Sequence, residues 1–297
     1  MAGERIYTTR ELAEMWNVSE STIKRWADTD NLTCFRTPGG HRRFRLEDIL
    51  AFQKLRGFEA TGLLSSELSE DPDLELWLNK KSFSKVQDLI FYLLKQNQRF
   101  KVVQLLDRLY LRGMGLEEIY DEVLVPLVHF VREQEANGLL TVGQAHLIDQ
   151  LIEEAVYSLF VQVVGKDRNG LTAMCGAPSG QCRFFVNGLS RTAEIAGWES
   201  LNLGQRVSFE EMATMVRNEP VDLICVIPTP ALDDANGEET FNGHEALAKL
   251  MEDYDIPIVF AGDLSSRKFL KKIFPAASFC VKFGQFRRFL NRIGHGA

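Results

Sequence analysis

From residue 170 onward, short apolar runs alternate five times with stretches of helical periodicity, and this alternation restricts the fold more than any other feature of the chain. The runs are Leu171–Gly176, Trp198–Leu203, Val221–Ile227, Pro257–Phe260 and Ser278–Val281. Helices are expected over Val186–Ala196, Phe209–Arg217, Gly243–Tyr254, Ser266–Ile273 and Gln285–Ile293. Each strand leads into a helix before the next strand, so successive strands run parallel and helices cover both faces of the sheet. A flavodoxin-like, doubly wound parallel sheet follows over residues 166–297. Ligands bind such sheets at the carboxyl ends of the strands.

Ahead of that region the period is helical throughout. Phe83, Val86, Leu89, Ile90, Leu93 and Leu94 make one apolar stripe, and Val102, Val103, Leu105, Leu106 and Leu109 a second. Ile119, Val123, Leu124, Leu127, Val128 and Val131 make a third, and Ala145 through Leu159 a fourth. Gly113, Gly115 and the pair Asn137-Gly138 supply the breaks. Four amphipathic helices with short joins predict a four-helix bundle over residues 80–165. Residues 57–79 carry six acidic residues and no basic one, and read as an acidic linker with room for one short helix.

Residues 1–56 form a separate module. Thr8 or Thr9 can cap a first helix whose inner face is Leu12, Met15 and Trp16. Asn17-Val18-Ser19 turns the chain. A second helix opens at Ser19-Glu20-Ser21-Thr22, with Ile23 and Trp26 inward and Lys24 and Arg25 elsewhere. Asn31 to Arg36 alternates like a strand, Thr37-Pro38-Gly39-Gly40 reverses it, and His41-Arg42-Arg43-Phe44-Arg45 returns. This is a helix-turn-helix with a β-hairpin wing. Gly39 and Gly40 permit positive φ and close backbone approach to a phosphate, beside donors on His41, Arg42 and Arg43. Phe35 and Phe44 are expected to pack the wing onto the helices, and Leu46 to Phe52 to begin a closing helix.

The chain has 297 residues and a net charge of −7. Residues 24–45 nevertheless carry six basic residues against two acidic, and residues 264–297 carry eight basic and no acidic. Such local faces can hold polyanions on an acidic protein, because salt keeps surface fields short-ranged. The sequence lacks a run of eighteen apolar residues, and MAGERIYTTR has no apolar signal region, so a soluble cytoplasmic protein without membrane contact is expected. Five scattered cysteines without a CxxC pair argue against a disulfide framework and against a structural zinc site. The sequence has no nucleophile elbow, phosphate loop, HExxH or paired carboxylate set. Asp233-Asp234 and Glu238-Glu239 read as loop solvation, so no enzyme is expected.

Residues 7–55 resemble the winged helix-turn-helix of the MerR superfamily, on the strength of Thr9-Arg10-Glu11-Leu12-Ala13, Val18 to Trp26, and Arg36 to Phe44. The resemblance implies a sequence-specific DNA-binding transcriptional regulator. Ser21, Thr22, Lys24 and Arg25 would read the major groove, and Arg36, Gly39, Gly40, His41, Arg42 and Arg43 would hold phosphates, with Thr9 and Arg10 completing the DNA-binding set. A small recognition unit needs two half-sites on double-stranded DNA, so a homo-oligomer is expected.

The order of the three modules is similar to that of the light-responsive cobalamin-dependent repressors of the same superfamily. Tyr120 to Leu127, Thr141 to Leu147, Ala196-Gly197-Trp198 and Leu203-Gly204 carry the local resemblance. It implies a bundle that caps a cobalamin held on the flavodoxin-like domain. That family's first loop has an acidic residue, a histidine that coordinates cobalt from below, and a glycine that leaves room for the nucleotide tail. Gly180, Cys182 and Phe185 stand in those places here, and Glu135-Ala136 stand where the bundle has Trp-His. Ile227-Pro228-Thr229 and Ala261-Gly262 are the nearest matches to the later motifs.

No cofactor is therefore expected, cobalamin included, and the C-terminal region would serve oligomerisation or docking of a protein partner. The alternative is a ligand-sensing regulator that holds a non-cobalamin ligand between bundle and sheet, or a haem with Cys182 or His244 as axial ligand. Cys182 beside Arg183 is either a thiol sensor or, on the preferred reading, an inert loop cysteine. His146 reads as a core or capping histidine of the bundle. The last helix is either a second nucleic-acid contact or, preferably, an amphipathic helix with Phe286, Phe289 and Leu290 on the core and its arginines in solvent.

Overall fold

The computed structural model describes residues 6–16, 18–29, 32–56, 72–160, 167–178, 180, 183–228, 244–262 and 267–294. They belong to two compact units, residues 1–164 and residues 165–297.

The first unit opens with a strand, β1 (Ile6–Thr8), too short for alternation to register in the sequence. Helices α1 (Thr9–Met15) and α2 (Glu20–Thr29) follow, then β2 (Phe35–Arg36), β3 (Arg42–Arg45) and α3 (Leu46–Arg56). β3 lies between β1 and β2 and runs antiparallel to both, with Tyr7 opposite Phe44. The strand expected from Asn31 shrinks to Phe35–Arg36, because Leu32 is drawn into the core instead; Asn31 itself lies outside the described residues.

Tyr7, Leu12, Met15, Ile23, Phe44 and Ile49 fill that core with no exposed surface. Trp16, Trp26 and Phe52 pack beside it as a triad with ring centroids 5.4 to 5.9 Å apart. Phe35, expected to pack inward, does not. It pairs across the hairpin with Arg43 and so shares the outer face, while Phe44, one residue on, takes the inner one. Its ring is 38% exposed and lies 5.8 Å from the Arg45 guanidinium.

The helices α4 (Pro72–Asn79), α5 (Phe83–Lys95), α6 (Arg99–Leu111), α7 (Leu116–Ile119), α8 (Val125–Ala136) and α9 (Val142–Phe160) complete the unit. α4 falls in the stretch read as linker, yet Leu74 and Leu78 are buried and the helix packs on α5. Residues 57–71 of that stretch lie outside the described ones. The third stripe of the bundle is one rod with a fault: a π-helical turn (Tyr120–Leu124) joins α7 to α8. Its cause is Pro126, which has no N–H to offer the Glu122 carbonyl four residues back. Gln87 of α5 supplies the missing donor, its Nε2 lying 2.8 Å from Glu122 O. Leu111, at the end of α6, is buried in the same core as Phe44, so helix-turn-helix and bundle share a hydrophobic cluster.

His146, read as a core or capping residue, is exposed instead. It sits near Asp149, whose carboxyl burial pushes up, an effect that Arg132 foremost and His146 less strongly offset.

The second unit holds β4 (Thr172–Ala177), α10 (Arg183–Ile195), β5 (Glu199–Gln205), α11 (Phe209–Asn218), β6 (Leu223–Val226), α12 (His244–Tyr254), β7 (Ile258–Ala261), α13 (Arg267–Ile273), β8 (Ser278–Cys280) and α14 (Phe283–Gly294). All five strands are parallel, in the order β5-β4-β6-β7-β8, the flavodoxin-like arrangement that the alternation predicts. α10 packs with α14, while α11, α12 and α13 pack in succession. Leu223 through Val226 and Ile258 through Phe260 are buried without break, as strands covered on both faces require. No described helix is long and apolar enough to cross a membrane. Cys182, Thr229, Asp233-Asp234, Glu238-Glu239 and His295 lie outside the described residues.

Candidate nucleic-acid interface

Two helix starts set the interface. Thr8 Oγ1 accepts a hydrogen bond from the Glu11 amide at 3.2 Å, while the Thr8 amide donates to Glu11 Oε2 at 2.7 Å. This reciprocal capping box fixes the first turn of α1, from which Arg10 projects exposed. At the start of α2, Ser19 Oγ accepts from the Thr22 amide at 3.2 Å and lies 2.7 Å from Ser21 Oγ and 2.9 Å from Thr22 Oγ1. The hydroxyls of Ser21 and Thr22 are thus shared with the cap. Lys24 and Arg25 stand exposed on the same helix, Lys24 within 3.7 Å of Glu20.

The wing is a tight turn. Gly40 donates its amide to Thr37 O at 2.8 Å, with Pro38 and Gly39 at the corners, and the Thr37 amide donates to His41 O at 3.0 Å. Gly40 has φ +78°, a left-handed conformation that glycine enters without steric cost. The turn holds the His41, Arg42 and Arg43 backbone next to the exposed Gly39-Gly40 segment.

Arg42 is spent within the protein. One guanidinium nitrogen donates to both carboxylate oxygens of Asp28, each at 2.7 Å, and its side chain is only 15% exposed. Arg36 stands 3.8 Å from the same carboxylate. The hydrogen bond from Arg42, opposed by burial and helped by the charges of Arg42 and Arg36, holds the Asp28 carboxyl below its ordinary value. This clasp ties the wing to the last turn of α2. Arg43 Nη1 donates to the Arg42 backbone carbonyl at 3.0 Å, which folds its side chain back along the strand.

Thr8, Thr9, Arg10, Glu20, Lys24, Gly40, His41, Arg42 and Arg43 line one cleft of about 240 Å³. Seven of the twelve residues singled out from sequence therefore meet in it: Thr9, Arg10, Lys24, Gly40, His41, Arg42 and Arg43. Ser21, Thr22, Arg25, Arg36 and Gly39 lie outside its lining. Asp28, Glu20 and Thr8 were not anticipated at the site. The capping spacing Thr8-x-x-Glu11 and the isolated acid at 28 inside a basic stretch were the available signals. Chemically, the cleft offers cations from α1, α2 and the wing on a bare turn, an arrangement suited to phosphate oxygens.

The second candidate site lies at the carboxyl end of β4. Gly180 abuts the Arg206 guanidinium, whose Nε lies 2.6 Å from the place a Cβ at 180 would take. Phe185, half-buried in the first turn of α10, meets the edge of Phe184 at 5.3 Å. His244, the other candidate ligand, begins α12 and is half-buried. Among the described residues no group of three His, Cys, Asp or Glu side chains could hold a metal ion. The segment from Ser179 to Phe185 has no imidazole, and positions 184 and 185 are both phenylalanine. These residues do not fit a corrinoid coordinated by a histidine from this loop.

Residues 6–54 match the helix-turn-helix domain family. The HTH-type transcriptional repressor CarH of Myxococcus xanthus is 27% identical over 228 residues, which span 72% of this chain and 75% of that protein. The transcriptional repressor DcmR of Methylorubrum extorquens is 40% identical over 50 residues, 16% of this chain and 19% of its own. Among solved structures, the monomethylamine corrinoid protein of Methanosarcina barkeri shares the fold, with a TM-score of 0.53 at 16% identity, over 72% of this chain and 99% of that one. Residues 6–54 thus carry a helix-turn-helix domain such as transcriptional regulators use, and the fold shared with the corrinoid protein extends over 72% of the chain.

Proposed function

We propose that the chain is a sequence-specific regulator of transcription that binds double-stranded DNA through its first module, as a homo-oligomer. In this reading α2 enters the major groove with Lys24 and Arg25 toward the base edges, and the wing lies on the backbone. The observation that carries it is the single cleft in which Arg10, Lys24 and Arg43 converge around the Gly40 turn. The roles within the basic set divide. Arg43 and Arg10 contact phosphates, and Arg42 holds the wing at its angle through Asp28. The C-terminal unit uses the corrinoid-protein fold without a histidine-ligated cobalamin, as an oligomerisation or docking element. The relatives bear the names of repressors, and in this reading the chain acts by binding and not by catalysis.

The test is a salt titration of the full chain on duplex DNA by fluorescence anisotropy. Each phosphate contact contributes about 0.9 to the slope of log affinity against log salt. Arg43→Ala is expected to lower affinity on all duplexes and to flatten that slope by about 0.9. An unchanged slope overturns the wing assignment. For the C-terminal unit, an absorbance spectrum of the purified protein decides: corrinoid bands at stoichiometric intensity contradict the reading.

A further inference from the structure

The second unit carries a charge distribution that the first module does not need. In a chain of net charge −7, residues 264–297 hold eight basic residues and no acidic one. The fold sets several of them on the two helices that flank β8, the edge strand of the sheet. On one face, the Phe279 ring lies 5.1 Å from the guanidinium of Arg267, on α13. On the other, burial pushes the Cys280 thiol up, and Arg292 and Arg288 of α14 stand close enough to offset part of that rise. Lys268, Lys271 and Lys272 are exposed on α13, and Arg288 and Arg292 on α14. Two helices from opposite faces thus bring cations to one edge.

The aromatic residues interleaved with these cations indicate which polyanion fits. Phe286, Phe289 and Leu290 are buried, so Arg288 and Arg292 of α14 face solvent while its rings serve the core, and half-buried Arg287 donates instead to the Thr192 carbonyl of α10. Phe274 is buried as well, and Phe269 is the exposed ring of the patch among the described residues. Single-stranded nucleic acid is held by rows of exposed rings on which bases stack. A surface of cations with its rings turned inward can contact phosphates but not read bases.

We propose that the cations flanking β8 form a second, sequence-independent contact with the phosphates of duplex DNA, outside the segment held by the first module. This rests on the DNA-binding reading above and extends it. The contact raises affinity for long duplexes and leaves sequence preference to the cleft.

The experiment uses the full chain and the variant Lys268→Gln/Lys271→Gln/Lys272→Gln, whose positions are exposed. Anisotropy is measured on a duplex of about 20 base pairs, enough for two half-sites one helical turn apart, and on one about three times as long with the same centre. On the long duplex, loss of three phosphate contacts lowers the salt slope by about 2.7, so wild type loses about 40-fold more affinity than the variant between 50 and 200 mM salt. On the short duplex the two proteins coincide. Equal slopes on the long duplex overturn the proposal; the cations then only guard an open strand edge against pairing. Equal slopes accompanied by a flattened slope for Arg43→Ala sink the second contact alone. A chain that binds neither duplex sinks the DNA-binding reading and this extension together.

Discussion

Phe44 and Phe35 sit on the same hairpin, and the structure assigns them opposite fates. Phe44 is fully buried against Tyr7 and the helices, whereas Phe35 is 38% exposed. Truncating a fully buried phenylalanine to alanine costs about 3–5 kcal/mol, from lost burial and the cavity left behind. A domain of this kind has about 5–15 kcal/mol in all, so Phe44→Ala removes a large share. At Phe35 water fills the space, so what is lost is partial burial and a cation–π contact worth about 0.5–1 kcal/mol at an exposed site. Urea unfolding followed by tryptophan fluorescence suits the test, because Trp16 and Trp26 lie beside this core. The Phe44→Ala midpoint is expected to fall sharply, and Phe35→Ala to shift stability by about 1 kcal/mol or less. Equal losses for the two variants refute the inward and outward assignment of the wing, and with it the clasp geometry that depends on it.

The Asp28 clasp has a signed pH dependence. The carboxyl titrates lower folded than unfolded, so its stabilisation is present above the ordinary carboxylate value and is lost as pH falls through the lower folded value. Acid titration of wild type should show wing loosening below about pH 4, and Asp28→Asn should lack that step and bind DNA more weakly at neutral pH. Thr8→Ala removes the side-chain half of a capping box and should cost about 1 kcal/mol, read as a lower urea midpoint. Gln87→Ala removes a half-buried hydrogen bond to the Glu122 carbonyl and should cost about 1 kcal/mol by the same measurement.

The large architecture was legible because it rests on period. Strand-and-helix alternation from residue 170 and four apolar stripes before it are burial patterns, and burial dominates folding. What escaped depends on few residues or on contacts distant in sequence. β1 is three residues long, and α4, the short helix for which the acidic stretch had room, could not be placed within it, because an inner face marked by Leu74 and Leu78 is too brief a period. The fault at Tyr120–Leu124 follows from Pro126, but its repair by Gln87, 35 residues away, is visible only in three dimensions. At the cleft, charge and glycine located the wing correctly in sequence. They could not tell Arg42, which is tied to Asp28, from Arg43, because both read as basic residues in a turn. The hydroxyls of Ser21 and Thr22 carried a similar ambiguity, and the cap at Ser19 accounts for both.

The central claim is that the first module recognises duplex DNA through α2 with the wing as its clamp. Selection of bound duplexes from a random pool by the full chain, in parallel with Lys24→Ala/Arg25→Ala, measures this most directly. One enriched motif with two half-sites is expected for wild type, and its loss in the variant. A pool that stays random with wild type, or a motif that survives unchanged in the variant, contradicts it.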